Sequence, residues 1–561
     1  PAIRTQADTS DKPGEPSLNP DGAWRRAQES WVHGGGQTFV DREPTNSDIL
    51  RFRTSKGVNP WVPWQLSLLP DTVLQRASTN SNLRVASVAG YLYAIDGQQL
   101  FYTSSALSAT PSSMVWTAVT GNPAVAATSI TTDGYNVWVA YGASGVYVTQ
   151  AGAASMSSYV TGTVGVLGYV KGRLMAAAGA SLYNITATGA LPAALYTQPN
   201  TGFSWVAFAE GPGFIYAVGA AGDRSVIYST AAVSDGTALA VPKVAGEIPN
   251  GETVTAARGY LGFLALGTTK GVHIASLDAS GNTILGPLTP TGSPVKAFTG
   301  YDRFIYYGLT DYDATSSGVG RMDLSQFVSD LGPAFASDLM AAAQGDVTTV
   351  AYYDTGIVFT VAGVGVFAQS PNLVPSGTLS GGNITFGLDD LKTALFADVR
   401  HQALNGTVAV QLAADGGTPA ALGTSAVQGS SEPASPFPCG QATGVLFELT
   451  VTLNRSATPT LGPVLTRVRM RATPQPDRTY LWTIPIVLAT DTVGIDGVAY
   501  DRDPLDDFNF LTELQTSGSL TTLQVAANNH TVKVEDSNFV VYRRDGDFWS
   551  GAYTVQLKEF G

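Results

Sequence analysis

One pattern restricts the fold of this chain more than any other. A Gly-Tyr pair leads into an apolar strand, then a small turn, then a second apolar strand, and the unit recurs along the middle of the sequence. It reads "GYLYAIDGQQLFYTS" from Gly90, "GYNVWVAYGASGVYVTQ" from Gly134 and "GYVKGRLMAAAGASLYNIT" from Gly168. A looser copy starts at Gly211, further Gly-Tyr copies start at Gly259 and Gly300, and a degenerate one, "YYDTGIVFTVAGVGVFAQ", starts at Tyr352. The starts lie 34 to 52 residues apart, which leaves room in each unit for a hairpin and two further strands. Four-stranded units at a period of ~40–50 residues mark a β-propeller. Seven copies predict a seven-bladed β-propeller over residues 73–372. The repeat also assigns a histidine: in "GVHIA" His273 takes the place of Tyr147 in "GVYVT" and Phe367 in "GVFAQ", so it is expected to pack.

Outside the repeat the texture changes, but the chain still reads as all-β. Residues 373–476 hold "LFADVRHQALNGTVAVQLAADGG", where Asn405-Gly406 between alternating runs signals a hairpin. Two more strands in "VLFELTVTLNRSATPTLGPVLTRVRMRAT" complete a jelly-roll-like β-sandwich. The stretch "RATPQPDR" reads as a linker to a small C-terminal β or α+β domain, residues 477–561, with the strand "TYLWTIPIVLA" and a short helix candidate "FNFLTELQ". Residues 1–72 carry Trp24, Trp31, Trp61 and Trp64 with little alternation. They read as an extended arm that docks aromatic anchors onto another subunit, since exposed aromatic patches are normally covered.

The search for chemistry starts at His33-Gly34-Gly35-Gly36, a pattern that forms part of an oxyanion hole in α/β-hydrolases. That chemistry needs a G-x-S-x-G elbow, which the chain lacks, and alternating strands and helices. The glycines therefore read as a turn where another chain packs close to the backbone. No phosphate-binding G-x-x-x-x-G-K-[ST] occurs, and "GTTKG" is a repeat turn. Sialidase-type propellers gather arginines; here Arg84, Arg173, Arg224, Arg258, Arg303 and Arg321 are spread over the repeats, with Arg173 and Arg303 in equivalent turns around a rim. Cys439 is the single cysteine, and His33, His273, His401 and His530 show no ligand spacing. "DYD" at 311–313 and "DRDPLDD" at 501–507 read as solvated acidic loops, with Ca²⁺ as the less favoured reading. No catalytic residue, cofactor or metal is expected, and the chain reads as a non-enzyme. A net charge of −13 gives no reason to expect nucleic acid, and no apolar run approaches the ~20 residues of a membrane span. "PAIRTQADTSDKPGEP" has no apolar segment of signal-peptide type. Arg467, Arg469 and Arg471 alternate along one strand face about 6.8 Å apart. They suit either a solvated face or a partner surface carrying carboxylates.

The segment "WVHGGGQTFVDRE…LRFRTSKGVNPWVPWQLSLL", the Gly-Tyr repeats and "TLGPVLTRVRMRATPQPDRTYLW" before a domain ending "FWSGAYTVQLKEF" resemble minor tail proteins of long-tailed bacteriophages of actinobacterial hosts. The resemblance covers most of the chain and carries no catalytic motif. It implies a structural component of the tail tip, a virion protein assembled in the host cytoplasm. The implied partners are other tail-tip proteins and further copies of the chain, as a trimer or hexamer, with host cell-wall polysaccharide as the ligand. Trp31, Gly34, Gly35, Gly36, Phe39, Trp61, Trp64, Arg467, Arg469 and Arg471 are then the expected assembly contacts. A propeller glycosidase and a propeller adaptor are the competing readings.

Overall fold

The computed structural model describes residues 24–40 and 51–559, apart from breaks at 234–235, 237, 329–331, 388, 434, 475–480, 494–496, 502, 526–527 and 546–547. The chain is almost entirely β, with a single helix among the described residues, and it divides into two compact units between Pro474 and Gln475.

Seven sheets fill the middle of the first unit, numbered I to VII here in chain order, antiparallel except where Gly189–Ala190 joins the edge of II in parallel. Sheet I runs Arg84–Val88, Tyr91–Asp96, Gln99–Thr103, Thr117–Ala118. The first strands of II to VII are Ser129–Thr132, Val166–Val170, Ser204–Glu210, Val254–Tyr260, Phe298–Tyr301 and Val347–Tyr353. Each first strand lies beside the first strand of the next sheet, and that of VII lies beside that of I, so the seven close a cycle. Burial on both faces explains the unbroken apolar runs. In sheet I, Leu92 and Ala94 enter a core shared with Val358 and Val366 of VII, while Tyr93 and Ile95 enter one shared with Val137 and Val139 of II. Sheet VII takes its fourth strand, Pro70–Ala77, from ahead of sheet I, paired antiparallel with Gly365–Leu373.

The Gly-Tyr pair proves to mark two different places. Gly168, Gly259 and Gly300 lie within the first strands of III, V and VI, where a Cβ would meet Phe208 at 2.7 Å, the Glu210 carbonyl oxygen at 1.6 Å and Tyr260 at 2.4 Å. Their role is close approach of neighbouring sheets. Gly90 and Gly134 instead sit in turns at φ 81° and 97°, with nothing within 4 Å of a Cβ.

Two five-stranded sheets and a two-stranded one, Val58–Asn59 with Ser67–Leu68, complete the strands of the first unit. One five-stranded sheet has the order Trp24–Gln28, Leu465–Pro474, Lys392–His401, Phe437–Pro438, with Thr443–Gly444 also on Lys392–His401. The other runs Thr54–Lys56, Ser376–Ile384, Phe447–Asn454, Thr407–Ala414, Ala420–Ser425. Met470 and Ala472 of the first and Val410, Val451 and Leu453 of the second share one core, which continues into Phe304 and Val319 of sheet VI.

This arrangement corrects two sequence expectations. Asn405-Gly406 does not close a hairpin, because the strands it joins, Lys392–His401 and Thr407–Ala414, belong to different sheets. Gly406 is needed for approach instead: a Cβ there would lie 2.2 Å from the Asn454 carbonyl oxygen, at φ 109°. Nor do residues 24–40 and 51–72 form an arm that avoids its own chain. They contribute a strand to each five-stranded sheet, and Trp24, Trp31, Phe52 and Trp61 are buried in the shared core. Isolated apolar residues without alternation were misleading because they find partner sheets hundreds of positions away, as in Trp24 opposite Ala472, Ser55 opposite Leu379 and Trp61 against Phe304. The remaining arm positions, 1–23 and 41–50, and the linker at 475–478 lie outside the described residues.

In the second unit, strands order as Leu481–Ala489, Phe548–Glu559, Asn528–Asp545, Leu520–Val525. Its helix, Pro504–Ser517, packs Phe508, Leu511 and Leu514 against Ile484, Ile486 and Tyr553. Asp503 caps the helix by accepting the Leu505 N–H at 2.9 Å, and Gly518 ends it at φ 63°.

Candidate functional site

The first strands of sheets I to VII together wall a cavity of about 900 Å³. A first strand has one free edge, so its backbone groups there must find partners beyond their own sheet. Polar side chains, mostly short ones, supply them. Thr349 Oγ1 accepts the Val85 N–H at 2.8 Å, tying VII to I, and Asn82 Nδ2 donates to the Ala127 carbonyl at 2.8 Å, tying I to II. Ser129 and Thr131 accept the N–H groups of Leu167 and Tyr169 at 3.1 and 2.8 Å, between II and III. Glu210 accepts the Lys171 N–H at 3.2 Å, between III and IV, and Thr255 donates to the Val295 carbonyl at 2.5 Å, between V and VI. These bonds explain why the wall is rich in Ser, Thr and small residues.

Four charged side chains line the cavity: Arg84, Glu210, Arg258 and Lys296. Lys296 has an ion pair with Asp346 at 2.5 Å. The two arginines differ from every other arginine of the ring. Arg76, Arg224, Arg303 and Arg321 pair with Asp96, Glu247, Asp323 and Asp338, and Arg173 donates to the Gly236 carbonyl at 2.5 Å. Arg84 and Arg258 have no side-chain hydrogen bond or ion pair among the described residues, and Arg84 Nε is wholly buried without a partner. Burial pushes the pKa of both guanidinium groups down, opposed at Arg258 by the charge of Glu210. Arg258 is nonetheless open to the water of the cavity, with protein close around it. Since a guanidinium stays protonated in proteins, both are cations without an ion pair among the described residues, Arg258 having only the nearby charge of Glu210.

The expected assembly residues fall in several different settings. Trp31 is buried, and its carbonyl accepts the Gly34 N–H at 3.0 Å. Gly34 to Gly36 cross the outer strand of sheet VI: Gly35 N–H donates to the Phe335 carbonyl at 2.7 Å, and a Cβ on Gly34 would meet Phe335 backbone at 2.6 Å. Close backbone approach was the right reading of "HGGG", but the backbone approached is the chain's own. Phe39 is half-buried and bridges to Asn383. Trp61 is buried edge-on against Phe304 at 5.4 Å, with the Arg321 guanidinium 5.7 Å from its ring. Trp64 alone of these tryptophans stands in solvent, 63 % exposed, with φ 61°. Arg467 and Arg469 meet a carboxylate within the chain, Asp398, at 3.6 and 2.6 Å. Arg471 lies opposite Arg25 on the neighbouring strand.

The other candidates are structural. His273 is buried, its Nε2 3.0 Å from Glu252 and its Nδ1 2.9 Å from the Gly286 carbonyl. His401 Nε2 lies 2.8 Å from Ser425 Oγ. Burial pushes the Cys439 thiol up to about 11. Asp313 of "DYD" accepts Lys56 Nζ at 2.5 Å and the Thr315 N–H at 2.9 Å. Among the described residues, no group of three or more His, Cys, Asp or Glu side chains is placed to hold a metal ion. Sequence reasoning counted Arg84 and Arg258 without separating them from the rest. The available signal was position: both fall in first strands, whereas Arg173 begins the second strand of its sheet.

No family model and no curated protein matches the chain. Among solved structures, the computationally designed Ika8 protein is similar over 54 % of this chain and 99 % of its own, at 10 % identity and a TM-score of 0.37, a likeness too slight to bear on the fold.

Proposed function

We propose that the chain is a non-catalytic structural component of a bacteriophage tail tip. In this reading a seven-bladed β-propeller and a jelly-roll-like β-sandwich form one body, joined to other tail-tip proteins and copies of the chain and exposed to host cell-wall polysaccharide. The observation that carries it is the cavity wall, whose polar side chains are mostly engaged in holding neighbouring sheets together. Such a wall suits a rigid scaffold. The sequence resemblance described above supplies the tail context. With Trp31 and Trp61 occupied in their own core, contact with a partner falls to the exposed Trp64.

A propeller glycosidase is the second reading, favoured by Glu210 near Arg258. Glycoside hydrolysis generally uses two carboxyl groups flanking the bond, and Glu210 is the one carboxylate among the described residues lining the cavity. Antibody against the chain should label the tail tip of intact particles in electron microscopy. Particles that lack the chain would overturn the tail reading, and polysaccharide hydrolysis abolished by Glu210→Gln would replace it with the enzymatic one.

A further inference from the structure

We propose that Arg84 and Arg258 form an oxyanion-binding site inside the seven-sheet cavity, suited to the carboxylate or phosphate group of a saccharide. This goes beyond the tail-tip reading and does not depend on it.

The argument is one of unmatched charge. Of the seven arginines in the ring, five have an acidic or carbonyl partner, and the two without one line the same cavity. Buried polar groups in folded proteins are rarely left without partners, and a buried cation is costlier than a neutral group. Arg84 Nε has none, nor have Arg76 Nε and Arg321 Nε, but those two guanidinium groups pair through Nη2, whereas Arg84 has no such bond among the described residues. Glu210 is near enough to Arg258 to favour its charge but makes no ion pair with it among the described residues; one of its oxygens accepts the Lys171 N–H. Lys296 is held by Asp346, and the remaining wall is hydroxyl, small aliphatic and aromatic. The cavity thus has an excess of positive charge at two guanidinium groups. Each offers a planar fork of donors that matches the two oxygens of a carboxylate or phosphate. A volume of about 900 Å³ admits a mono- or disaccharide. Tyr169 and Tyr352 also border the cavity, their rings stacked on Trp138 at 5.4 Å and on Tyr301 at 3.8 Å. Uronic acids and sugar phosphates share this chemistry, and the experiment separates them.

The test is calorimetric titration of the full chain with sodium glucuronate, inorganic phosphate and glucose, alongside the shift each causes in Tm. At least one anion should bind and raise Tm, glucose should do neither, and the anion that binds identifies the source. Arg84→Gln and Arg258→Gln should each weaken that binding about tenfold or more, the loss of a charge-assisted hydrogen bond. Arg173→Gln, at the start of the second strand of sheet III and outside the cavity wall, should leave it unchanged. Both cavity variants should fold, because neither removes a side-chain bond among the described residues. Arg84→Lys and Arg258→Lys, which keep the charge and lose the fork, should show intermediate affinity. The proposal is overturned if neither anion binds, if glucose binds as well as glucuronate, or if the glutamine variants bind with wild-type affinity.

Discussion

The seven-sheet ring and the two five-stranded sheets are built from similar strands, yet they close over very different distances in sequence. Within the ring nearly every pairing joins neighbours along the chain, as in Tyr91–Asp96 with Gln99–Thr103, and only Pro70–Ala77 comes from afar. In the five-stranded sheets the first residues of the described chain pair with the last of the unit: Gln28 lies opposite Val468. Local pairing leaves a period that can be counted. Distant pairing leaves only scattered apolar residues whose partners are invisible until the chain is folded. The difference also predicts where the molecule is vulnerable, because a distant strand is a single point of failure while a ring sheet is backed by its own hairpins.

The largest effect should come from deleting residues 1–60. An undocked arm would be removed without harm to the ring. The structure instead predicts loss of a strand from each five-stranded sheet and of Trp24, Trp31 and Phe52 from the core. The truncated protein should be insoluble or lack a cooperative thermal transition, and a soluble, cooperatively melting product would break the comparison. Trp31→Ala should cost about 3–5 kcal/mol in denaturant unfolding, as for other buried aromatics.

Within the ring, Gly259→Ala should destabilise by about 1–3 kcal/mol, because its Cβ has no room against Glu210 of sheet IV. Gly90→Ala, in an open turn, should cost less, limited to the strain of its positive φ at about 1 kcal/mol. Equal losses would contradict the two roles assigned to the Gly-Tyr pair.

Acid should loosen the one distant strand of the ring. Asp96 accepts from Ser78 Oγ at 2.6 Å, Asn80 Nδ2 at 2.6 Å and Arg76 Nη2 at 2.9 Å, tying Pro70–Ala77 and the residues after it to sheet I. Burial opposes ionisation, but these hydrogen bonds outweigh it and hold the carboxyl below its usual value. A depressed folded pKa contributes stability that is present above the unfolded value, near 3.9, and lost as pH falls through the folded one. Melting temperature should therefore drop below about pH 4, and Asp96→Asn should flatten that drop. A variant with unchanged acid dependence would remove Asp96 from the closure.

The smallest effect should be Trp64→Ala, expected within about 0.5 kcal/mol of the parent because the side chain is mostly in solvent. A loss comparable to Trp31→Ala would mean that Trp64 is anchored after all.

Much of the ring was legible. The unit "GVHIA" against "GVYVT" and "GVFAQ" correctly aligned third strands, since each begins a strand opposite its sheet's outer partner. The Gly-Tyr pair did not align as well, because glycine serves turns and close approaches alike and the sequence does not distinguish them. In the candidate site, Arg84 and Arg258 were visible as residues but not as a pair. Whether an arginine has a partner depends on which carboxylates fold beside it, and Asp338 beside Arg321 lies only 17 positions away while Arg84 has none among the described residues.

The sequence by itself determined that the chain is built of short apolar strands, that seven units repeat through its middle, and that glycine at 34–36 brings backbone against backbone. Those properties are local: strand periodicity, turn chemistry and the absence of a Cβ act over a few residues. Only the tertiary structure decided that the early tryptophans belong to their own core, that Asn405-Gly406 passes between sheets, and that two cations face one cavity unpaired. Each of these depends on which distant strands meet, and burial and charge compensation are properties of that meeting, not of any segment taken alone.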